Sequence, residues 1–369
     1  MITWHEELPF DFSEPMTDRF FTEQAIFFDI ETTGFSPTRS NLYLIGCATR
    51  KADMLIINQF FAESGNEESE VITAFFSLLA QYNTIITFNG IGFDIPYLKA
   101  KCNSLQISSP FDEFIYIDIY KEVSKSKALL GLASLKQKSI ELFLGIDRKD
   151  TFSGGELIEV YKAYIKHPTA DALSLLRQHN YEDVLYMPKL LPVLSYREAL
   201  TSKLTPTALE ANEARTFNGD TQKELIFTLS GAPPVPKALS YRCDGCYLSF
   251  RHTDILLCVK LFDGELRYFF NHPKDYYYLP EEDRAVHKNL ATGVDREHRK
   301  QATTSNCYVR KHAIFLPQYE DLFAPAFRRN ARDRKSYFEL SEDFINSTAL
   351  QEQYIKHLLA HIDTKKPHA

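Results

Sequence analysis

Asp29 and Glu31 stand one residue apart at the end of an apolar run, Ala25-Ile26-Phe27-Phe28-Asp29-Ile30-Glu31-Thr32-Thr33-Gly34. The run reads as a buried β-strand. Side chains two apart on a strand share a face. Two carboxylates held side by side repel each other and resist desolvation, so a fold keeps them mainly where something positive binds. Oxygen ligands of this kind suit a hard divalent cation. An acidic strand end running into a turn would give the same triplet, and two further elements separate the two readings.

The first is Phe88-Asn89-Gly90-Ile91-Gly92-Phe93-Asp94-Ile95-Pro96-Tyr97-Leu98. It places Asp94 in the first turn of a helix that follows a strand, where the helix dipole favours a carboxylate. The second is His179-Asn180-Tyr181-Glu182-Asp183. On a helix, His179 and Asp183 are four residues apart and lie on one face. Each element alone has a bland explanation, a helix-start acid or a solvated polar face. Asp118, near the end of another strand, is read as a structural acid rather than a ligand.

Together the three elements resemble the exonuclease motifs of the DEDD, or DnaQ-like, 3′→5′ exonuclease superfamily, whose fold is RNase H-like. Asp29 and Glu31 match the first motif, Asp94 the second, and Asp183 the last acid of the third. The more specific resemblance is to the bacterial YprB-like branch, which includes the mitomycin repair factor B nucleases. Leu132-Ala133-Ser134-Leu135-Lys136, Leu142-Phe143-Leu144-Gly145-Ile146 and Phe152-Ser153-Gly154-Gly155-Glu156 support it. The resemblance spans roughly residues 22–195.

It implies two divalent cations, Mg²⁺ or Mn²⁺, held by Asp29, Glu31, Asp94 and Asp183 around a scissile phosphate. His179, four residues before Asp183, stands where many members carry Tyr, and is assigned as the base. Tyr181 is given little weight. Thr32, Thr33 and Gly34 are expected against the terminal nucleotide, and Asn89 against the backbone. Phe35 suits either stacking on a base or core packing. The implied activity is metal-dependent 3′→5′ exonucleolysis, with DNA favoured in a repair setting beside a helicase. An RNA exonuclease and a non-catalytic nucleic-acid-binding module are the rival readings.

The composition agrees with an ordinary globular chain: of 369 residues, 44% are hydrophobic and 25% charged, and the net charge is −7. Residues 1–195 hold 17 Lys+Arg and 26 Asp+Glu, or −9; the remaining 25 and 23 give +2. The acidic ligands thus fall in the more acidic half. No apolar run approaches the ~18 residues of a membrane span. The start of the chain lacks the marks of a signal peptide, and six cysteines do not read as a disulfide framework. The expectation is a protein of a reducing cytoplasm that contacts no membrane.

The elements that must position the acids follow from periodicity. Strands are expected at 25–30, 42–49, 54–61, 84–88 and 114–118, with a hairpin at Arg50-Lys51-Ala52-Asp53. Helices are expected over 67–82, from Phe93, and through 119–195 with breaks at Ser153-Gly154-Gly155 and His167-Pro168. This order describes a mixed sheet flanked by helices, an α/β architecture. Residues 1–24 read as an irregular leader, 25–200 as the RNase H-like domain and 201–237 as a linker. Residues 238–369 read as a smaller α+β domain, with strands at 247–251, 255–261 and 266–270 and a hairpin signal at Asp263-Gly264. Helices are expected in it near 284–302 and at 349–362.

That domain carries the basic run Phe327-Arg328-Arg329-Asn330-Ala331-Arg332-Asp333-Arg334-Lys335, a second group at Arg296, Arg299 and Lys300, and aromatics including Tyr276, Tyr277, Tyr278, Phe323 and Tyr337. This composition suits a nucleic-acid grip. Cys243-Asp244-Gly245-Cys246 is half of a zinc site, with Cys258, Cys307 and His252 as candidates to complete it.

Overall fold

The computed structural model describes residues 1–148, 152, 154–215, 219 and 221–364. The chain divides into two compact units. One comprises 1–198 and 233–236, the other 199–232 and 237–369.

The first unit is built on a six-stranded mixed sheet. Its strands are β1 (Ile2–Pro9), β2 (Ala25–Thr32), β3 (Leu42–Lys51), β4 (Met54–Phe61), β5 (Thr84–Thr87) and β6 (Ile115–Asp118), in the order β1-β4-β3-β2-β5-β6. The pairs from β1 to β2 are antiparallel, whereas β2–β5 and β5–β6 are parallel. The helices are α1 (Pro15–Phe20), α2 (Glu68–Leu79), α3 (Asp94–Leu105), α4 (Ile119–Lys125), α5 (Lys127–Leu130), α6 (Gln137–Leu144), α7 (Gly154–Tyr164), α8 (Ala170–Tyr186) and α9 (Leu194–Thr201), the last running into the second unit.

Alternation along β2 sets the architecture. Ile26, Phe28 and Ile30 enter a core with Val71, Ile72 and Phe75 of α2 and Leu98 of α3. On the opposite face, Tyr43, Leu44 and Phe61 pack with Leu157 and Tyr161 of α7 and Leu176 of α8. Asp29 and Glu31 alternate with the first set, so they project toward the face that α8 covers.

The expected strands and the helix over 67–82 are present, as is the hairpin at Ala52-Asp53, where Ala52 takes φ 50°. The leader reading of 1–24 is corrected: residues 2–9 pair along the whole of β4 as an edge strand. Its exposed face, alternating with half-buried residues, keeps the hydrophobic signal weak. The expected break at Ser153 lies outside the described residues.

The second unit is richer in strands. β7 (Thr205–Arg215), β8 (Thr221–Ser230), β9 (Leu239–Cys243), β10 (Cys246–Arg251) and β11 (Asp254–Lys260) form a sheet in the order β7-β8-β11-β10-β9. β12 (Phe262–Phe269), β16 (Tyr308–Gln318), β17 (Phe327–Arg328) and β18 (Ser336–Glu339) close a small barrel. β13 (Tyr276–Leu279), β14 (Arg284–His287) and β15 (Lys300–Gln301) form a third sheet, and α10 (Glu342–Asn346) and α11 (Thr348–Thr364) end the description.

Three expectations fail here. The linker at 201–237 holds β7 and β8; the largely exposed residues of β7 and its Pro206, at a break in register, look loop-like in sequence. Asp263 and Gly264 lie inside β12, opposite Ile314 and Ala313, rather than in a turn. The stretch 284–302 forms β14, a short 3₁₀ turn and β15, because Tyr277 and Tyr278 pair with residues on both sides. The helix expected at 349–362 is α11. Among the described residues no helix is long and apolar enough to cross a membrane.

Candidate metal-dependent active site

β2, α3 and α8 each deliver part of one acidic cluster. Asp94 is the first residue of α3 and is buried, and its Oδ1 accepts the Ile30 N–H at 3.1 Å. Ile30 is the residue between Asp29 and Glu31, so the second acidic element is hydrogen-bonded to the backbone of the first. His179 and Asp183 share a face of α8. His179 Nε2 lies 3.5 Å from Asp183 Oδ2 and 3.7 Å from Glu31 Oε1. One ligand atom each from Glu31, His179 and Asp183 lie within 4.8 Å of one another, close enough to share a cation.

The electrostatics fit a cation as well. Burial raises the Asp29 carboxyl well above its usual range, and repulsion from Asp94, Asp183 and Glu31 adds to it. Burial pushes Asp94 up to about 7, against the hydrogen bonds from the Ile30 and Asp94 backbones, while Asp118 and Asp183 push it further up. Carboxyls crowded this way gain most from a divalent ion on oxygen ligands.

Several contributors carry no motif signal. Asn180 is fully buried and donates from Nδ2 to Asp29 Oδ2 at 3.3 Å. Gln59 on β4 donates to Asn180 Oδ1 at 3.0 Å. Gly46 pairs with Asp29 across the sheet, and a Cβ there would stand 2.0 Å from Asn180 Oδ1, so glycine lets α8 approach β3. Arg148 is nearly buried: its Nη1 lies 2.7 Å from Asp183 Oδ1 and 3.2 Å from Glu141 Oε1, and its Nε 3.6 Å from Glu182 Oε2. Burial disfavours the charged guanidinium, but Asp183 and Glu141 outweigh it and hold Arg148 above its usual range. Gln137 Nε2 donates to the Asp183 carbonyl at 3.1 Å.

The remaining sequence candidates surround this cluster. Thr32 Oγ1 donates to the Gly34 carbonyl at 2.9 Å, and Thr33 Oγ1 accepts the Asn41 N–H at 2.8 Å, so both hydroxyls shape the turn after β2. Phe35 is 89% exposed, which discards the core-packing reading; its ring meets Phe93 edge-on at 5.9 Å. Asn89 takes φ 66°, and its N–H donates to Asp118 Oδ1 at 3.0 Å. Asp118 also accepts from Ile91 and Lys121, the structural role expected of it. Tyr181 Oη donates to Glu6 at 3.0 Å.

In the second unit, Cys243 and Cys246 face each other across β9–β10 and are joined by a disulfide, while Cys47, Cys102, Cys258 and Cys307 are free thiols. Among the described residues no zinc cluster forms around them. Part of the basic run is committed elsewhere. Arg328 pairs with Asp321, Lys335 lies 3.2 Å from Asp244, and Phe327 and Tyr337 sit in the barrel core.

Residues 26–195 match the family described as RNase_H superfamily (RNase_H_2). A "DNA polymerase 1" of Sulfurisphaera ohwakuensis is 29% identical over 118 residues, which are 23% of this chain and 14% of that polymerase. The family B DNA polymerase of Pyrobaculum calidifontis aligns with a TM-score of 0.38 at 15% identity, over 70% of this chain and 38% of that one. E. coli ExoI, in a zinc-bound complex with single-stranded DNA, aligns with a TM-score of 0.27 at 12% identity, over 55% of this chain and 54% of that one. The matched span covers strands β2 to β6 of the mixed sheet and its flanking helices, an RNase H-like fold.

Proposed function

We propose that the first unit is a DEDD-type 3′→5′ exonuclease, acting on DNA, with Asp29, Glu31, Asp94 and Asp183 as ligands for two Mg²⁺ or Mn²⁺ ions. The carrying observation is the convergence of β2, α3 and α8 on one crowded carboxylate cluster with an imidazole in it. Divalent cations there would activate the attacking water and neutralise charge on the scissile phosphate. His179 takes the proton of the attacking water, and Glu31 and Asp183, which both face its Nε2, orient the ring. Asn180 fixes the Asp29 carboxylate through its amide. Exposed Phe35 stacks on the terminal base, with the turn of Thr32, Thr33 and Gly34 beneath it and Asn89 on the backbone. DNA is favoured because the curated relative over part of this chain is a DNA polymerase.

The test is a time course on 5′-labelled single-stranded DNA and RNA of matched sequence, with Mg²⁺ or Mn²⁺, comparing wild type with Asp29→Ala. A ladder that shortens from the 3′ end on DNA, lost in the variant, is the expected result. A ladder on RNA alone would reassign the substrate. Binding without cleavage under both metals would overturn the enzyme reading in favour of a binding module.

A further inference from the structure

We propose that a cavity beside the acidic cluster is a subsite for one unpaired nucleotide of the strand being degraded, with the base on Tyr120 and a phosphate on Lys136. This rests on the nuclease reading and specifies its substrate: a single strand whose base faces are free.

The cavity measures 480 Å³, and its walls include Phe88, Asn89, Tyr120, Leu135, Lys136 and Gln137. It is too large for a lone ion, and its mixed lining, Phe88, Tyr120 and Leu135 beside amides and one cation, suits a ligand with both an apolar face and a negative charge. It opens where β5 and β6 end: Asn89 follows β5, Tyr120 is the second residue of α4, and Gln137 is the first of α6. Gln137 ties it to the chemistry, because its side-chain amide donates to the Asp183 carbonyl at 3.1 Å. A nucleotide held here is therefore next to the proposed metal ligands.

The lining matches a nucleotide part by part. The Tyr120 ring is half-buried and braced by Phe88, edge-to-face at 6.0 Å and 73°. A braced ring offers a base a stacking surface at low entropic cost. Lys136 is exposed, and among the described residues no carboxylate pairs with it. A cation without a partner, in a half-chain of net charge −9, is where a phosphate gains most. Asn89 adds an amide, while the Gln137 amide is held in place by Glu141 and the Asp183 carbonyl. A paired base would bury its face in the stack and could not use Tyr120.

The test uses full-length protein and 5′-fluorescein-labelled oligothymidylate in Ca²⁺, followed by anisotropy over a range of salt. Tyr120→Ala should weaken binding at least about fivefold, the low end for loss of one stacked base. Lys136→Gln should weaken it and lower the salt slope by about 0.7, one phosphate contact on a single strand. The chain has one native tryptophan, Trp4, so emission of the Tyr120→Trp variant should be quenched by oligonucleotide well beyond any change in wild type. The proposal is overturned if both loss variants bind within twofold of wild type, or if Tyr120→Trp binds without quenching. It is also overturned if a blunt duplex binds as tightly as the single strand and suffers the same losses. A wild-type protein that binds no oligonucleotide would instead overturn the nuclease reading, and this subsite with it.

Discussion

The Arg148 guanidinium lies 2.7 Å from Oδ1 of Asp183, so the last acid of the cluster is already paired with a cation supplied by the chain. Glu141 shares the same Nη1 at 3.2 Å, and Glu182 lies 3.6 Å from Nε. Asp183 keeps Oδ2 toward His179. A divalent ion that recruits Asp183 competes with Arg148 for its charge. Arg148→Gln leaves buried carboxylates without their partner, which should cost about 3–5 kcal/mol of stability in the metal-free protein. The same change should enlarge the rise in melting temperature that Mg²⁺ produces. Thermal melts with and without Mg²⁺ measure both; a variant that responds to Mg²⁺ no more than wild type would refute the competition.

Asp94 gives a pH dependence with a definite sign. Its carboxyl is raised to about 7, chiefly by burial, and Asp29 is raised with it. A group that holds its proton more tightly folded than unfolded stabilises the fold at low pH. That stability is fully present below the unfolded value near 4 and is lost as pH rises through about 7. Without divalent ions, the protein should melt higher at pH 5 than at pH 8, by a difference on the order of a few kcal/mol. Asp94→Asn keeps an oxygen for the Ile30 N–H and removes the charge, so its melting temperature at pH 8 should exceed that of wild type. A wild-type melting temperature that climbs from pH 5 to pH 8 would contradict the assignment.

The parts of this arrangement that were legible in sequence are those encoded locally. The two carboxylates of β2 share a face because strands alternate, and His179 and Asp183 share one because helices repeat near four residues. The core strands announced themselves by apolar runs. The edge strand β1 did not, because one face of it is exposed and its pairing with β4 is settled by partners far along the chain. Strands β7 and β8 were hidden in the same way behind polar faces and turn-forming residues. Arg148, Asn180 and Gly46 were invisible for a different reason. Their roles exist only once α8 lies on the sheet, and no spacing in the chain encodes that approach.

His179 separates chemistry from binding. Its ring is buried between Glu31 and Asp183, within 3.7 Å of each. Removing a positioned proton acceptor typically costs 10²–10⁴-fold in rate. His179→Ala should therefore lower the single-turnover rate at saturating enzyme by about that factor, while affinity for oligonucleotide in Ca²⁺ changes much less. A rate within tenfold of wild type would remove His179 from the proton transfer and leave it a packing residue.

Gly46 tests whether the approach of α8 to the sheet sets the geometry of the acids. A methyl at this position would stand 2.0 Å from Asn180 Oδ1 and 2.8 Å from its Cγ, distances that only movement of the helix or of Asn180 can relieve. Asn180 has little room to move, since it is fully buried between Gln59 and Asp29. Gly46→Ala should cost about 1–3 kcal/mol, as overpacking does, and should slow cleavage because His179 and Asp183 ride on the displaced helix. Adding Asn180→Ala opens the space the methyl needs, so the double variant should regain part of the lost melting temperature. Its rate should stay low, because Asp29 still lacks the amide that oriented it. Calorimetry and single-turnover cleavage on the two variants distinguish these effects. A Gly46→Ala protein as stable as wild type would show that α8 does not depend on this contact.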